Sequence, residues 1–306
     1  MTVISREPTG KPLSFASTVP CRLVHRRAVA EVLITDWRAA GPDTFECAAQ
    51  WPRGHRLYRV RDGRHDPLLV AETLRQAGIL LSHTAFEIPE THSFLMDRLA
   101  FDVDPDGLVA GATPADVVVR IDCTVGRRTK AQTTIQFDMD FQRDGRSVAT
   151  GIGVVRCVAP SVYGRLRTNA APAGTSPPNL PEPVDADKVG LLDPGDVVIG
   201  DERQPGMWPV RVPVEHPVLF DHPLDHVPGM LVFEALRQAG RLRLGRQHAQ
   251  PVAADLTFGR FLELTGESAV CLDADGDHGG RTTARVRAEQ DGLAAAEGTM
   301  TLADGA

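Results

Sequence analysis

The sequence predicts an α+β protein made of two tandem copies of one unit, each an antiparallel sheet wrapped around a single central helix. Three observations carry that prediction. First, the frame E-x-x-R-Q-A-G occurs in "HDPLLVAETLRQAG" (65–78) and again in "PGMLVFEALRQAG" (228–240), so Glu72, Arg75 and Gln76 return as Glu234, Arg237 and Gln238. Second, the turn Asp144-Gly145 returns as Asp291-Gly292, and Gly151 returns as Gly298 at the same offset (291 − 144 and 298 − 151). The helix frame has the larger offset (234 − 72), so the second copy is the shorter between these landmarks. Different landmarks in the same order indicate internal duplication. Third, Phe137, Met139 and Phe141 alternate with Asp138, Asp140 and Gln142, the period of a half-buried antiparallel strand.

The elements follow in order. "RLVHRRAVAEVLITDW" (22–37) mixes β-branched and polar residues as a strand does, and "TFECAAQW" (44–51) follows a Gly-Pro-Asp turn, which suggests a hairpin. A helix starts at Asp66-Pro67, where Asp can cap and Pro suits the first turn, and runs to about Ser82. Strands are expected at 93–103, 115–125, 132–142 and 147–158, the last two joined by the hairpin turn "RDGR" (143–146). Residues 169–183, "NAAPAGTSPPNLPEP", are rich in Pro, Gly and small residues and read as a linker. Beyond it come "MWPVRVPV" (207–214), a loop dense in His and Asp, a helix at 228–241, and strands at 252–264, 268–274, 281–290 and 293–303. The expected organisation is a tail (1–20), a first repeat (21–165), a linker (166–195) and a second repeat (196–306).

Composition narrows the function. With 306 residues, 42% apolar and 24% charged, the chain can bury a sizeable core, and a net charge of −7 disfavours a nucleic-acid surface. Five scattered cysteines without a C-x-x-C pair fit reduced thiols rather than a disulfide framework or zinc site. The N-terminal stretch has no apolar signal core and no window is long enough to span a membrane, so a cytoplasmic protein is expected. The chain has no G-x-S-x-G elbow, P-loop, G-x-G-x-x-G after a strand or H-E-x-x-H, which leaves serine-hydrolase, nucleotide and zinc chemistry unsupported.

The chemistry-bearing residues cluster around the two helices. Glu72, Arg75 and Gln76 share one helix face, as do Glu234, Arg237 and Gln238. An isolated E-x-x-R is often an exposed ion pair, but here the flanks "LLVAETL" and "MLVFEAL" are apolar almost all round, and the triad is written twice. Ahead of the second helix, "HPVLFDHPLDHVPGM" (216–230) carries His216, His222 and His226 with Asp221 and Asp225; ahead of the first stand His65 and Asp66. The histidines lack a recognised ligand spacing, so no metal is expected, and no cofactor. Pro228-Gly229 opens a helix N-terminus, where the following N–H groups, those of Gly229 and Met230 among them, are candidate oxyanion donors. The basic segments "LVHRRAVAEV" (23–32) and "WPRGHRLYR" (51–59) fit either a solvated strand edge or a surface for phosphate or a carrier protein.

"HVPGMLVFEALRQA" resembles the central helix of hotdog-fold enzymes, particularly β-hydroxyacyl-carrier-protein dehydratases, although the dehydratase His falls on Phe220, with His222 two residues later. Together, "LVHRRAVAEVLITDW", "QWPRGHRLY", "HDPLLVAETLRQAGILLSH" and "HPVLFDHPLDHVPGMLVFEALRQA" resemble the AfsA-type A-factor biosynthesis proteins of actinomycetes, across both halves. The resemblance implies a double hotdog arranged as an internal pseudo-dimer, either monomeric or a homodimer. It also implies a β-ketoacyl transferase that moves its acyl group from acyl carrier protein to a hydroxyl of dihydroxyacetone phosphate, in the first committed step towards a γ-butyrolactone or butenolide autoregulator. The family's functional Glu and Arg carry over to Glu72, Arg75, Glu234 and Arg237.

On that reading Glu234 is the first choice of base and Glu72 its rival, each with a pKa raised by its apolar surround. Arg75 or Arg237 pairs with its own Glu or grips phosphate. Gln76, Gln238, His65, Asp66, His222, Asp225, His226, Gly229 and Met230 line the substrate, with Glu72 facing His222, Asp225 and His226, and Glu234 facing His65 and Asp66. The alternatives are a thioesterase or hydratase on the same scaffold, or a non-catalytic acyl-binding module.

Overall fold

The computed structural model describes residues 11–304, apart from the side chains of 275 and 277; the first ten residues of the expected tail and the last two of the second repeat lie outside them. The chain divides into two compact units, one up to Thr168 and one from Asn169.

In the first unit β1 (Ile34–Gly41), β2 (Thr44–Trp51), β3 (Ser93–Val103), β4 (Ala115–Arg128), β5 (Gln132–Arg143) and β6 (Arg146–Val158) form an antiparallel sheet, order β1-β2-β4-β5-β6-β3. Helix α1 (Leu68–Thr84) packs against it, and a short helix α2 (Pro160–Leu166) follows β6. The second unit repeats the plan with β7 (Met207–Pro209), α3 (Gly229–Leu244), β8 (Gln250–Phe258), β9 (Ser268–His278), β10 (Arg281–Gln290) and β11 (Leu293–Ala303). Its strand order, β8-β11-β10-β9-β7, matches β3-β6-β5-β4-β2 of the first. Among the described residues, no helix is long and apolar enough to cross a membrane.

Burial follows the alternation. Along β5, Ile135, Phe137, Met139 and Phe141 are buried while their neighbours are half-exposed. The predicted turns form at Asp144-Gly145 and Asp291-Gly292, with φ of 50°, 73°, 54° and 72°, the left-handed pair that matches the twist of a two-residue hairpin. Nearly all of α1 is buried, only Arg75 and Thr84 keeping partial exposure, and α3 is buried from Met230 to Arg241. Such helices need close approach to the sheet, and the glycine of the repeated frame provides it. A Cβ on Gly78 would touch the Phe137 ring at 3.4 Å, and one on Gly240 would meet Leu302 at 2.7 Å. Helix α3 runs past the expected stop at 241 to Leu244, where the αL Gly245 ends it.

The expected strand over 22–37 forms only from Ile34. Residues 21–33 instead make two 3-10 turns, Cys21–Val24 and Val29–Glu31, with His25 left-handed at φ 50° between them. The same path recurs at the start of the second unit: turns Ala186–Val189 and Pro194–Asp196, with Gly190 at φ 62° in place of His25. β-branched residues favour strand locally, but here Val24, Val32 and Val189 are buried in an irregular segment laid against each helix. In the second unit the strand expected to reach 264 stops at Phe258.

Gly298 marks the tightest point, since a Cβ there would lie 1.8 Å from the Asp255 carbonyl oxygen of the neighbouring strand. Gly298→Ala is expected to destabilise the protein by about 2 kcal/mol or more, because the obstacle is backbone that cannot swing away. Gly145→Ala meets no atom within 4 Å and is expected to cost only about 1 kcal/mol, for its positive φ. Paired chemical-denaturation curves check the order.

Candidate active site

Glu72 lies one turn into α1 and is 2% exposed. A carboxylate there needs donors, and three side chains supply them. Arg26, from the irregular segment, donates Nε and Nη2 to Oε1 at 3.1 and 2.7 Å. Arg75 donates Nε to Oε2 at 3.0 Å and Nη2 to Oε1 at 2.8 Å, and Gln76 donates to Oε1 at 2.7 Å. Burial alone raises the carboxyl pKa, but the charges of Arg26 and Arg75, with hydrogen bonds from Arg75 and Gln76, outweigh it and hold Glu72 at about 2. The expectation of a raised pKa is therefore overturned at Glu72. The reason is the second arginine, Arg26, which helix spacing alone does not bring to this carboxylate.

Gln76 continues the network. Its amide nitrogen donates to the Glu31 carbonyl at 2.7 Å, and its oxygen accepts from the Leu33 N–H at 2.8 Å, so helix α1 holds the irregular segment by its backbone. The Glu31 carboxylate meets His55 Nε2 at 3.2 Å. His55 Nδ1 accepts the N–H groups of Leu57 and Tyr58, which fixes the tautomer and makes Nε2 the donor.

The second unit builds the same network with different letters. Glu234, fully buried, takes a very short contact from Arg237 and a 2.7 Å bond from Gln238. Gln238 donates to the Asp196 carbonyl at 3.0 Å and accepts from the Val198 N–H at 2.9 Å. Asp196 meets His216 Nε2 at 3.2 Å, and His216 Nδ1 accepts from Val218 and Leu219. Leu191 follows the left-handed Gly190 as Arg26 follows the left-handed His25, so an apolar residue stands where the first unit has its second arginine. A buried Arg241, one turn beyond Arg237, donates to the Ala249 and Val189 carbonyls, both at 2.8 Å.

The other predicted residues sit ahead of the helices. His65 is 1% exposed, and neither ring nitrogen has a hydrogen-bond partner among the described residues. Burial and then the Arg143 charge push its pKa down to about 4, so it is neutral near pH 7. Asp66 caps α1 by accepting from the Leu68 N–H at 2.9 Å. His222 and His226 each pair through Nδ1 with the preceding aspartate, Asp221 at 2.6 Å and Asp225 at 2.7 Å. Gly229 and Met230 open α3, ahead of the bonds that Leu231 and Val232 donate to the Pro228 carbonyl. The sequence alone does not single out Arg26, Glu31, His55, Asp196 and Arg241. The basic segments contain Arg26 and His55, but nothing local ties them to the helices.

The architecture defines a hotdog protein in two copies. Two solved structures share it: the oleoyl thioesterase (putative) from Lactobacillus plantarum, with a TM-score of 0.52 at 13% identity over 85% of this chain and 96% of that one, and the 12:0-ACP thioesterase from Umbellularia californica, with 0.51 at 11% over 85% and 93%. The chain belongs to the A-factor biosynthesis hotdog domain family, whose model matches residues 9–159 and 173–303. Relatives named 2-oxo-3-(phosphooxy)propyl 3-oxoalkanoate synthase are 40% identical in Streptomyces virginiae, over 81% of this chain and 84% of the relative. Those from Streptomyces coelicolor and Streptomyces griseus are 37% and 35% identical, each over 90% of this chain and 89% and 92% of the relative.

The depressed pKa of Glu72 has a pH consequence. Its carboxylate is stabilised in the fold, so that stability is fully present above its ordinary 4.5 and is lost as pH falls from there to about 2. The loss at full protonation is on the order of 3 kcal/mol. Glu72→Gln is expected to be less stable than the parent at neutral pH and to show a shallower acid limb, with the two curves converging towards pH 2. Urea midpoints across that range measure it.

Proposed function

We propose that the chain is an acyltransferase that joins a β-ketoacyl group from acyl carrier protein to the free hydroxyl of dihydroxyacetone phosphate. The observation that carries this reading is family membership through both repeats. Relatives whose name describes that ester, a 3-oxoalkanoate of a 2-oxo-3-(phosphooxy)propyl group, align over most of this chain.

The step is a nucleophilic acyl exchange. The hydroxyl loses its proton to a base, its oxygen attacks the thioester carbonyl, the C–S bond breaks, and the thiolate leaves and takes up a proton. A base needs a spare lone pair near the substrate. A carboxylate offers about four lone-pair positions. Glu72 accepts five donated bonds, four of them on Oε1, and the charges of two guanidiniums hold its pKa at about 2, which makes it a weak base, whereas Glu234 accepts from one guanidinium and from the Gln238 amide. That difference ranks Glu234 ahead of Glu72 as the proton acceptor, with Glu72 an anchor for its two arginines. The N–H groups of Gly229 and Met230, at the positive end of the α3 dipole, suit the developing oxyanion. His65 is neutral and without a hydrogen-bond partner among the described residues, a donor or acceptor available to a substrate oxygen. All five cysteines are free thiols, as a reducing cytoplasm keeps them.

Incubating the protein with a β-ketoacyl carrier protein, with and without dihydroxyacetone phosphate, and weighing the products tests the reading. The phosphorylated ester is expected only when the acceptor is present. Free acid at equal rates in both tubes would instead indicate a thioesterase, and unchanged substrate in both a binding module. Glu234→Gln is expected to lower the rate about 100-fold or more, and Glu72→Gln to act mainly through stability.

A further inference from the structure

From the two unequal copies of the carboxylate–guanidinium cluster we infer that the first unit alone carries a phosphate-binding site, formed by the outer edge of Arg75 with Arg26 behind it. The inference rests on the acyl-transfer reading only for the source of the phosphate.

In the second unit the guanidiniums are closed off. Arg237 is 1% exposed in its side chain, and Arg241 is wholly buried, with Nε turned to the Ala249 carbonyl and Nη1 to the Val189 carbonyl. Arg75 is different. Its side chain is 20% exposed, and its bonds to Glu72 and to the Val24 carbonyl, the latter at 3.5 Å, engage Nε and Nη2, which leaves Nη1 as the outer edge. A guanidinium held flat by a bidentate carboxylate has little rotamer freedom left to lose when an anion docks on its remaining edge.

Charge favours the same place. A single Arg–Glu pair is neutral and gives an anion little reason to approach, but Arg26 adds a second cation on the same carboxylate, so these three side chains together carry a net charge of +1. Along the irregular segment, the Glu31 carboxylate meets His55 at 3.2 Å, and Arg22 meets Glu90 at 3.3 Å. Arg75 and Arg237 occupy equivalent positions on their helices, so the difference arises from what surrounds them, not from the repeated frame itself.

A phosphate of either substrate has the right chemistry: the monoester of the triose acceptor, or the diester of the carrier's phosphopantetheine arm. The test begins with inorganic phosphate alone, titrated calorimetrically into the full-length protein and into Arg75→Ala, Arg75→Lys and Arg26→Leu. Arg26→Leu copies the residue found at the matching position, 191, in the second unit. Phosphate affinity is expected to fall about tenfold or more in Arg75→Ala and Arg26→Leu, and to be restored only in part by Lys. Folding is checked by the thermal midpoint of each variant. Steady-state kinetics then separates the sources. A rise in KM for dihydroxyacetone phosphate alone assigns the acceptor, and a rise for the acyl carrier alone assigns the carrier arm. Folded variants with unchanged phosphate affinity and unchanged KM for both substrates would overturn the site while leaving ester formation intact. Loss of phosphate binding in a protein that forms no ester would uphold the site and reject the acyl-transfer reading.

Discussion

A carboxylate in the middle of an apolar helix cannot stay ionised in a dry interior unless charges and hydrogen bonds replace the water it gives up. In both copies the replacement comes from the residues three and four positions further along the same helix face, so Glu72 is met by Arg75 and Gln76, and Glu234 by Arg237 and Gln238. The glutamine is the link to the rest of the fold. Because its amide is committed to the carboxylate on one side, its remaining donor and its acceptor are aimed at the backbone of an irregular segment, Glu31 and Leu33 in one unit, Asp196 and Val198 in the other.

The consequence is a chain of constraints running from helix to loop. The acid at the end of each irregular segment, Glu31 or Asp196, holds a histidine, His55 or His216, whose other nitrogen gathers two backbone N–H groups of the segment leading towards the helix. Residues 51–66 and 213–228 carry most of the candidate substrate-binding groups, so their shape is set at one remove by the buried carboxylate. Shared architecture has not produced equal chemistry. Two guanidiniums and one amide hold Glu72, while Glu234 has one guanidinium and one amide, with the second arginine of that unit turned to backbone carbonyls. Duplication preserved the scaffold and let the acceptor capacity of the two carboxylates diverge.

Much of this was legible in the sequence because it is local. The E-x-x-R-Q-A-G frame, the Asp-Gly turns and the alternation of β5 each act within a few residues, and helix or strand period translates them into a face. The irregular segments were not legible. "CRLVHRRAVAEVL" and "ADKVGLLDPGDVV" follow one backbone path yet share almost no letters in register, so the first reads as strand and the second as linker. What they share is a requirement at single points: a buried valine at 24 and 189, a left-handed residue at 25 and 190, an acid at 31 and 196. Arg26 and His55 were hidden for a related reason. Their partners lie 46 and 24 residues away, and only a long-range contact turns a residue in a basic stretch into part of a buried network.

The helix glutamines, fixed by their carboxylates, clamp the irregular segments. Hydrogen exchange at the Leu33 and Val198 amides tests this clamp most directly, since each donates to a glutamine side chain rather than to a strand. Exchange as slow as that of the amides within α1 and α3 is expected, because release requires the helix face itself to open. Exchange at the rate of an exposed loop would contradict it.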